Sequence, residues 1–413
     1  MTNWKARLAR LALALLIAGG IELAAGFWPA PRERLEAILE ILELHPTRIW
    51  TLRKDLDTRF MGAPLHTDHE GWRTDPAAPS GGPFRIYVLG DSLTFGWGVG
   101  DSQTWPALLQ RRLGIPVRNA SVPGYTTWQG MRVLHEVALP DRPEVVMLCH
   151  GVNDVSKLRF FGSDTRPDEE QRPQGELAVT GWNLLMSTNT YRFLRNRAFR
   201  SRDGALEGQV AFLRLSQEAP PRVSLEAYAR NLEQMVAQVR AAGTRPVLVK
   251  MPLNLPLPPQ VSSASRRHAA ELFAQAGRLV QQGDSAQALV HYREGLRLDP
   301  LDRKHCWETY ELGRKSGDTA AAEFALSLLR RMEVYQSSAR HVQSNLRVDQ
   351  VARETGTPVV DVEALFARFP GRPLFNDPVL DPYHPNATGH ALIAEEAARL
   401  LSPEYLGNSH KPR

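Results

Sequence analysis

Cysteine is scarce in this chain: across 413 residues there are two, Cys149 and Cys306. They lie far apart and neither has a Cys-x-x-Cys partner, so the sequence offers no zinc finger, thiol redox motif or disulfide framework. Cys149 sits in an apolar run and reads as a small core residue. Charge of one sign is also lacking. The 50 Lys and Arg stand against 45 Asp and Glu, a formal net charge of +5. The arginines are scattered among carboxylates and form no stripe, so nucleic acid is not an expected partner. Metal-ligand clusters, phosphate loops and redox motifs are missing too, and no metal or cofactor is expected. What remains is a globular composition, 43% hydrophobic, long enough for one main domain with attachments.

Long hydrophobic runs are confined to one place. Lys5, Arg7 and Arg10 precede Leu11 to Trp28, which is apolar except for Glu22. The run is near the ~18-residue threshold for a spanning helix, and Ala24-Ala25-Gly26 is a weak cleavage site. The expectation is therefore an uncleaved membrane anchor, residues 1–30. Its basic end stays cytoplasmic and the rest lies outside, which in a bacterium is the periplasm.

Residues 31–80 combine a short amphipathic helix, Arg34 to Leu44, with a Pro-, Gly- and charge-rich stretch, and read as a juxtamembrane neck and entry segment. From residue 81 strand and helix signals alternate. Phe84 to Leu89, the run around Val117, Glu144 to Cys149, Pro246 to Lys250 and Pro358 to Val362 are strand-like. Trp105 to Leu113, Leu225 to Ala241 and Ala387 to Leu401 have helical spacing. Such alternation predicts an α/β fold with a parallel sheet covered on both faces. It is interrupted twice. Val155 to Val223 is polar, Arg-rich and poorly patterned, and is expected to form part of the rim over a site.

The second interruption, residues 257–345, carries an internal repeat. Gly283-Asp284 recurs as Gly317-Asp318, a period of 34 residues. The spacing resembles the tetratricopeptide repeat, with Ala276, Ala288, Tyr292, Gly295 and Pro300 at its small, aromatic, small and proline positions. The second copy keeps mainly Ala322. Such hairpins bury their apolar faces only against neighbours, and a protein partner is a natural occupant.

Four separated blocks carry chemistry. Val88-Leu89-Gly90-Asp91-Ser92-Leu93-Thr94 ends a strand in glycine and sets a serine at its C-terminal edge, where open parallel sheets build sites. Asn119-Ala120-Ser121-Val122-Pro123-Gly124-Tyr125-Thr126 follows the next strand, and Gly124 allows backbone amide to approach a ligand. Gly151-Val152-Asn153-Asp154 follows the third, bringing a side-chain amide donor. Asp381-Pro382-Tyr383-His384-Pro385-Asn386 places a carboxylate three residues before an imidazole, a spacing that lets it bond the ring nitrogen a serine does not use. Ester cleavage needs a nucleophile, a base, a group that orients the base, and donors to a developing oxyanion. His390, the rival histidine, has no carboxylate at that spacing. Phe95, Trp97, Trp105, Tyr125 and Trp128 crowd these loops; they either stack on a sugar or line an acyl pocket, or pack beneath a lid.

In these blocks the chain resembles the SGNH/GDSL hydrolases, whose motifs supply Ser, Gly, Asn and His in this order. The resemblance covers about residues 84–154, 225–256 and 357–401. It implies a three-layer α/β/α, flavodoxin-like fold, in two parts at 81–256 and 346–405, with the helical segment inserted. It implies Ser92 as nucleophile, the amides of Ser92 and Gly124 and the Asn153 side chain as oxyanion donors, and Asp381 and His384 as the rest of a triad; Asp91 is structural. The expected partner is an acyl ester of a glycan or lipid. An acyltransferase using the same triad, or a repeat-based scaffold with little turnover, stays open.

Overall fold

The computed structural model describes residues 16–17, 19–25, 34–78, 82–157, 166–171, 174–200, 210, 213–214, 219–252, 254, 256, 258–377 and 381–402. They fall into two compact units.

The larger unit, residues 1–208, 220–252 and 345–413, opens with helix α1 (Arg34–Ile41) and a hairpin of β1 (Leu42–His45) and β2 (Ile49–Leu52). The expected helix from Arg34 thus stops at Ile41 and the chain turns into a strand. Next come β3 (Asp57–Phe60), β4 (Ala63–Thr67) and β5 (Arg73–Thr74), which extend the main sheet antiparallel at one edge. The stretch read as a neck therefore carries five short strands, and it contributes Trp50, Leu52, Phe60, Leu65 and Trp72 to the core. Its short runs and its many turn residues hid this.

The alternating pattern builds the rest. β6 (Ile86–Gly90) leads into α2 (Ser92–Phe95) and α3 (Trp105–Leu113); β7 (Val117–Ser121) leads into α4 (Thr127–Val133). β8 (Val145–Cys149) is followed by two helices, α5 (Glu176–Ser187) and α6 (Asn189–Arg200), inside the segment read as unpatterned rim. Then come α7 (Leu225–Ala241) and β9 (Arg245–Lys250). The parallel strands lie in the order β7-β6-β8-β9, continued by a later strand described below. Alternate residues face opposite sides: Tyr87, Leu89, Val146 and Leu148 enter one core with α7, while Ile86, Val88, Val145 and Met147 enter another with α3. Both faces are buried, which explains the continuous apolar runs.

The second unit, residues 209–219 and 253–344, is helical among its described residues: α8 (Ser263–Gln281), α9 (Ser285–Leu298), α10 (Arg303–Ser316) and the first part of α11 (Thr319–Thr355). The repeated Gly-Asp pair has a physical cause. Gly283 and Gly317 take the left-handed conformation after a helix, φ +84° and +79°, and the next residue caps the following helix. Asp284 accepts from the Gln287 amide at 3.0 Å and Asp318 from the Ala321 amide at 2.9 Å. Ala276, Ala288, Tyr292, Gly295 and Ala322 are buried, while Pro300 is half-buried. A Cβ at Gly295 would meet the Phe273 ring at 2.4 Å, so a larger residue there would have to displace that ring.

Back in the first unit, β10 (Val359–Asp361) joins β9 in parallel, completing the order 2-1-3-4-5 of flavodoxin-like sheets. α12 (Val362–Ala367), the hairpin of β11 (Phe375–Asp377) and β12 (Asp381–Pro385), and α13 (Ala387–Leu400) close the chain. Among the described residues no helix is long and apolar enough to cross a membrane, so the expected transmembrane helix is not found there. Lys5, Arg7, Arg10 and much of the run Leu11 to Trp28 lie outside the described residues.

Candidate active site

The first three blocks each follow a parallel strand at the same sheet edge. β6 delivers Asp91 and Ser92, β7 delivers Gly124, and β8 delivers Asn153. β6 and β8 flank the point where strand order reverses, which is where such sheets open a crevice. Asp91 caps α2 by accepting the Leu93 amide at 3.0 Å, and this fixes the turn that carries Ser92. The fit is close: a Cβ on Gly90 would lie 2.7 Å from the Cys149 carbonyl.

The β11–β12 hairpin brings the fourth block to the same place. His384 Nε2 lies 2.8 Å from Ser92 Oγ. Its Nδ1 lies 2.7 and 2.8 Å from the two Asp381 oxygens, and its amide donates to Asp381 at 3.3 Å. A carboxylate on Nδ1 keeps the proton there and leaves Nε2 as an acceptor facing the hydroxyl. Trp97 stacks on the imidazole, centroids 5.1 Å apart and planes 17° from parallel. The Trp97 carbonyl accepts from Asn376 Nδ2 at 2.7 Å. Gly98 permits that contact: its φ is +80° and a Cβ would sit 2.7 Å from Asn376 Nδ2.

Asn153 Nδ2 donates to Asp91 Oδ2 at 3.1 Å, which spends one amide hydrogen and orients the other. Burial pushes the Asp91 carboxyl up to about 8, with nearby Asp154 adding to the effect and the Leu93 amide opposing it. Burial thus biases this carboxyl toward its neutral form and weakens the anion behind Asn153.

Gly124 lies in a turn at φ +80°. Two buried side chains outside the recognised blocks grip the peptides on either side of it. Trp50 Nε1 donates to the Pro123 carbonyl at 3.0 Å, and Arg222 Nη1 donates to the Gly124 carbonyl at 2.5 Å. In a trans peptide C=O and N–H point opposite ways, so the Pro123 contact turns the Gly124 N–H away from Trp50. Tyr125 Oη returns to the Trp50 carbonyl at 2.6 Å. Arg222 also pairs with Asp168 at 2.7 Å and with Gln129 at 2.8 Å. Neither Trp50 nor Arg222 had a sequence signal, since each stands alone in an unpatterned stretch.

His390 does not join the site. It is fully buried, its Nδ1 accepts the Trp105 amide at 3.2 Å, and burial, reinforced by Arg73, lowers it to about 3. Phe95, Trp97, Trp105 and Tyr125 are buried, which favours packing over an open sugar platform.

The GDSL-like Lipase/Acylhydrolase family matches residues 88–289. That stretch holds Ser92, Gly124 and Asn153, while Asp381 and His384 lie beyond it. An arylesterase of Vibrio mimicus is 32% identical over 107 residues, 25% of this chain and 52% of that protein. The chain thus spans about half the length of this curated relative. Among solved structures, a lipase/acylhydrolase from Enterococcus faecalis is 15% identical, with 77% of this chain and 95% of that chain covered and a TM-score of 0.37. A catalytic mutant of Axe2, an acetylxylan esterase from Geobacillus stearothermophilus, is 14% identical, with 78% and 94% covered and a TM-score of 0.36. Likeness at that level carries no argument about activity.

Proposed function

The chain belongs to the SGNH/GDSL hydrolases, and from that premise we propose that it cleaves short acyl esters, such as O-acetyl groups of a glycan or lipid, with a Ser92-His384-Asp381 triad. The observation that carries this is the unbroken line from Asp381 through His384 Nδ1 and Nε2 to Ser92 Oγ, every link 2.8 Å or shorter.

Ser92 Oγ attacks the ester carbonyl carbon while His384 Nε2 takes its proton, and Asp381 stabilises the imidazolium. The negative charge on the carbonyl oxygen is met by the amides of Ser92 and Gly124 and by the second hydrogen on Asn153 Nδ2. When the tetrahedral intermediate collapses, the C–O bond breaks and the alcohol leaves with the proton from His384. Water then attacks the acyl-serine, His384 again accepts the proton, and the carboxylic acid departs as Ser92 regains its hydrogen. Asp91 holds Asn153 in place through Oδ2, and burial disfavours its charged form, which lessens repulsion of the oxyanion.

The proposal places this site outside the cytoplasm, in the periplasm of a bacterium, tethered through Leu11 to Trp28. Support for that is compositional: an apolar run behind Lys5, Arg7 and Arg10. The helical insert is proposed to be a tetratricopeptide-like pair that receives a protein partner. The chemistry is tested with a chromogenic acetyl ester. Asn153→Ala, losing one donor of three, is expected to cost about 10² to 10³ in kcat with KM little changed. Asp381→Asn and His384→Ala are expected to be progressively worse. Full activity in folded His384→Ala protein would overturn the reading.

A further inference from the structure

Helix α5 faces the wrong way for a protein surrounded by water. Its sequence, ELAVTGWNLLMS, is mostly apolar, yet Val179 is its only buried residue. Leu177, Leu184 and Leu185 are 91%, 69% and 44% exposed, and Trp182 is 51% exposed. The residue turned inward is polar. Asn183 accepts the Leu44 amide at 2.8 Å and donates to the Leu44 carbonyl at 2.9 Å, mimicking a strand partner on β1. A helix free to rotate in water would bury its leucines and expose the asparagine.

The described part of the N-terminal run repeats this inversion. Residues 16–17 and 19–25 are helical, and Leu16, Ile17, Ile21 and Leu23 are exposed. Glu22, the one charge in the run, points to the protein. It accepts the Asn189 and Thr190 amides at 2.5 and 2.9 Å and the Thr190 hydroxyl at 2.7 Å. These are unpaired donors of the first turn of α6, where a carboxylate is favoured. Glu22 therefore fastens the apolar run to the α5–α6 pair, with apolar side chains outward on both.

We propose that α5, the start of α6 and the end of the N-terminal run form one lipid-facing surface that lies in the headgroup and upper acyl region of a bilayer. Three features select lipid as the occupant. The surface is continuous with the run that heads toward a membrane; Trp182 is of the type that settles at the interface; and the α6 sequence is basic, with four arginines and no carboxylate, a composition that suits anionic headgroups even with Arg192 paired to Glu40. Leu44, held by Asn183, lies in β1 directly opposite Trp50 of β2, and Trp50 reaches the Gly124 turn. The ester site is thereby tied to an element resting on the bilayer, which favours substrates presented at that surface.

This inference rests on the membrane placement proposed above, and one experiment separates the two. Full-length Leu184→Cys protein, labelled there with a fluorophore sensitive to polarity, is reconstituted in phosphatidylcholine/phosphatidylglycerol vesicles and floated. Glu395→Cys on α13, a solvent-exposed position, serves as the reference. The proposal expects the protein to float, the label at 184 to lose most of its emission to shallow doxyl-lipid quenchers and little to iodide, and the label at 395 to do the reverse. Failure to float overturns both the placement and the surface. Flotation with iodide quenching at 184 overturns the surface alone. So does protection from both quenchers, which would mean that a second copy or the rest of the chain covers α5.

Discussion

Replacing Trp50 with Phe should slow turnover without weakening substrate binding. Phenylalanine keeps an aromatic ring against Tyr125, whose centroid is 6.1 Å away, and beneath Arg222, and it removes only the indole N–H that holds the Pro123 carbonyl at 3.0 Å. A neutral hydrogen bond is worth about 1 kcal/mol net. If that energy is what keeps the Pro123–Gly124 peptide turned, losing it lowers the productive orientation about 5-fold, and kcat with it. Total loss of an oxyanion donor would cost about 10² to 10³; the Arg222 bond to the Gly124 carbonyl keeps the turn in place and limits the damage. The assay is steady-state hydrolysis of an acetyl ester, with kcat and KM resolved and thermal unfolding followed in parallel. The expectation is a fall in kcat, a constant KM and an unaltered pH profile. A lower Tm with unchanged kcat would show that Trp50 only packs, and the argument from peptide orientation would be refuted.

His390 is held neutral in the fold at about 3, against about 6.5 when unfolded. Between those values the unfolded chain binds the proton and the native chain does not, so stability from this residue is lost as pH falls. Urea unfolding of His390→Asn, which preserves an acceptor for the Trp105 amide, should show the gap to wild type narrowing by roughly 2 kcal/mol from pH 7 to pH 5; a gap that stays constant would contradict the assignment. Arg222→Met removes the guanidinium paired with the fully buried Asp168, leaving it the Thr126 hydroxyl at 2.9 Å, and should destabilise by about 3 kcal/mol, with Asp168→Leu in the same chain restoring part of it. A single variant as stable as wild type in chemical denaturation would rule that out.

The parallel sheet was legible because strands buried on both faces leave uninterrupted apolar runs; α3 and α7 begin and end where their spacing begins and ends. Ser92, Asn153, Asp381 and His384 were legible because each follows a strand or shares a constrained loop. The edge strands β3 to β5 were not, since they are short and half-exposed, and turn residues dominate their stretch. Helices α5 and α6 were missed for another reason. Periodicity finds a helix by its buried apolar stripe, and α5 buries Val179 alone and turns half-buried Asn183 inward while its leucines point outward. Trp50 and Arg222 act on Gly124 from 74 and 98 positions away, a distance at which no local spacing pattern operates.

The central claim is that Ser92 is activated by His384 to form an acyl-enzyme. The most direct measurement is intact-protein and peptide mass spectrometry after treatment with a fluorophosphonate, which captures an activated serine. One adduct on the peptide containing Ser92 is expected, lost in Ser92→Ala and greatly slowed in His384→Ala. An adduct on another residue, or hydrolysis that survives in folded Ser92→Ala protein, would contradict the account.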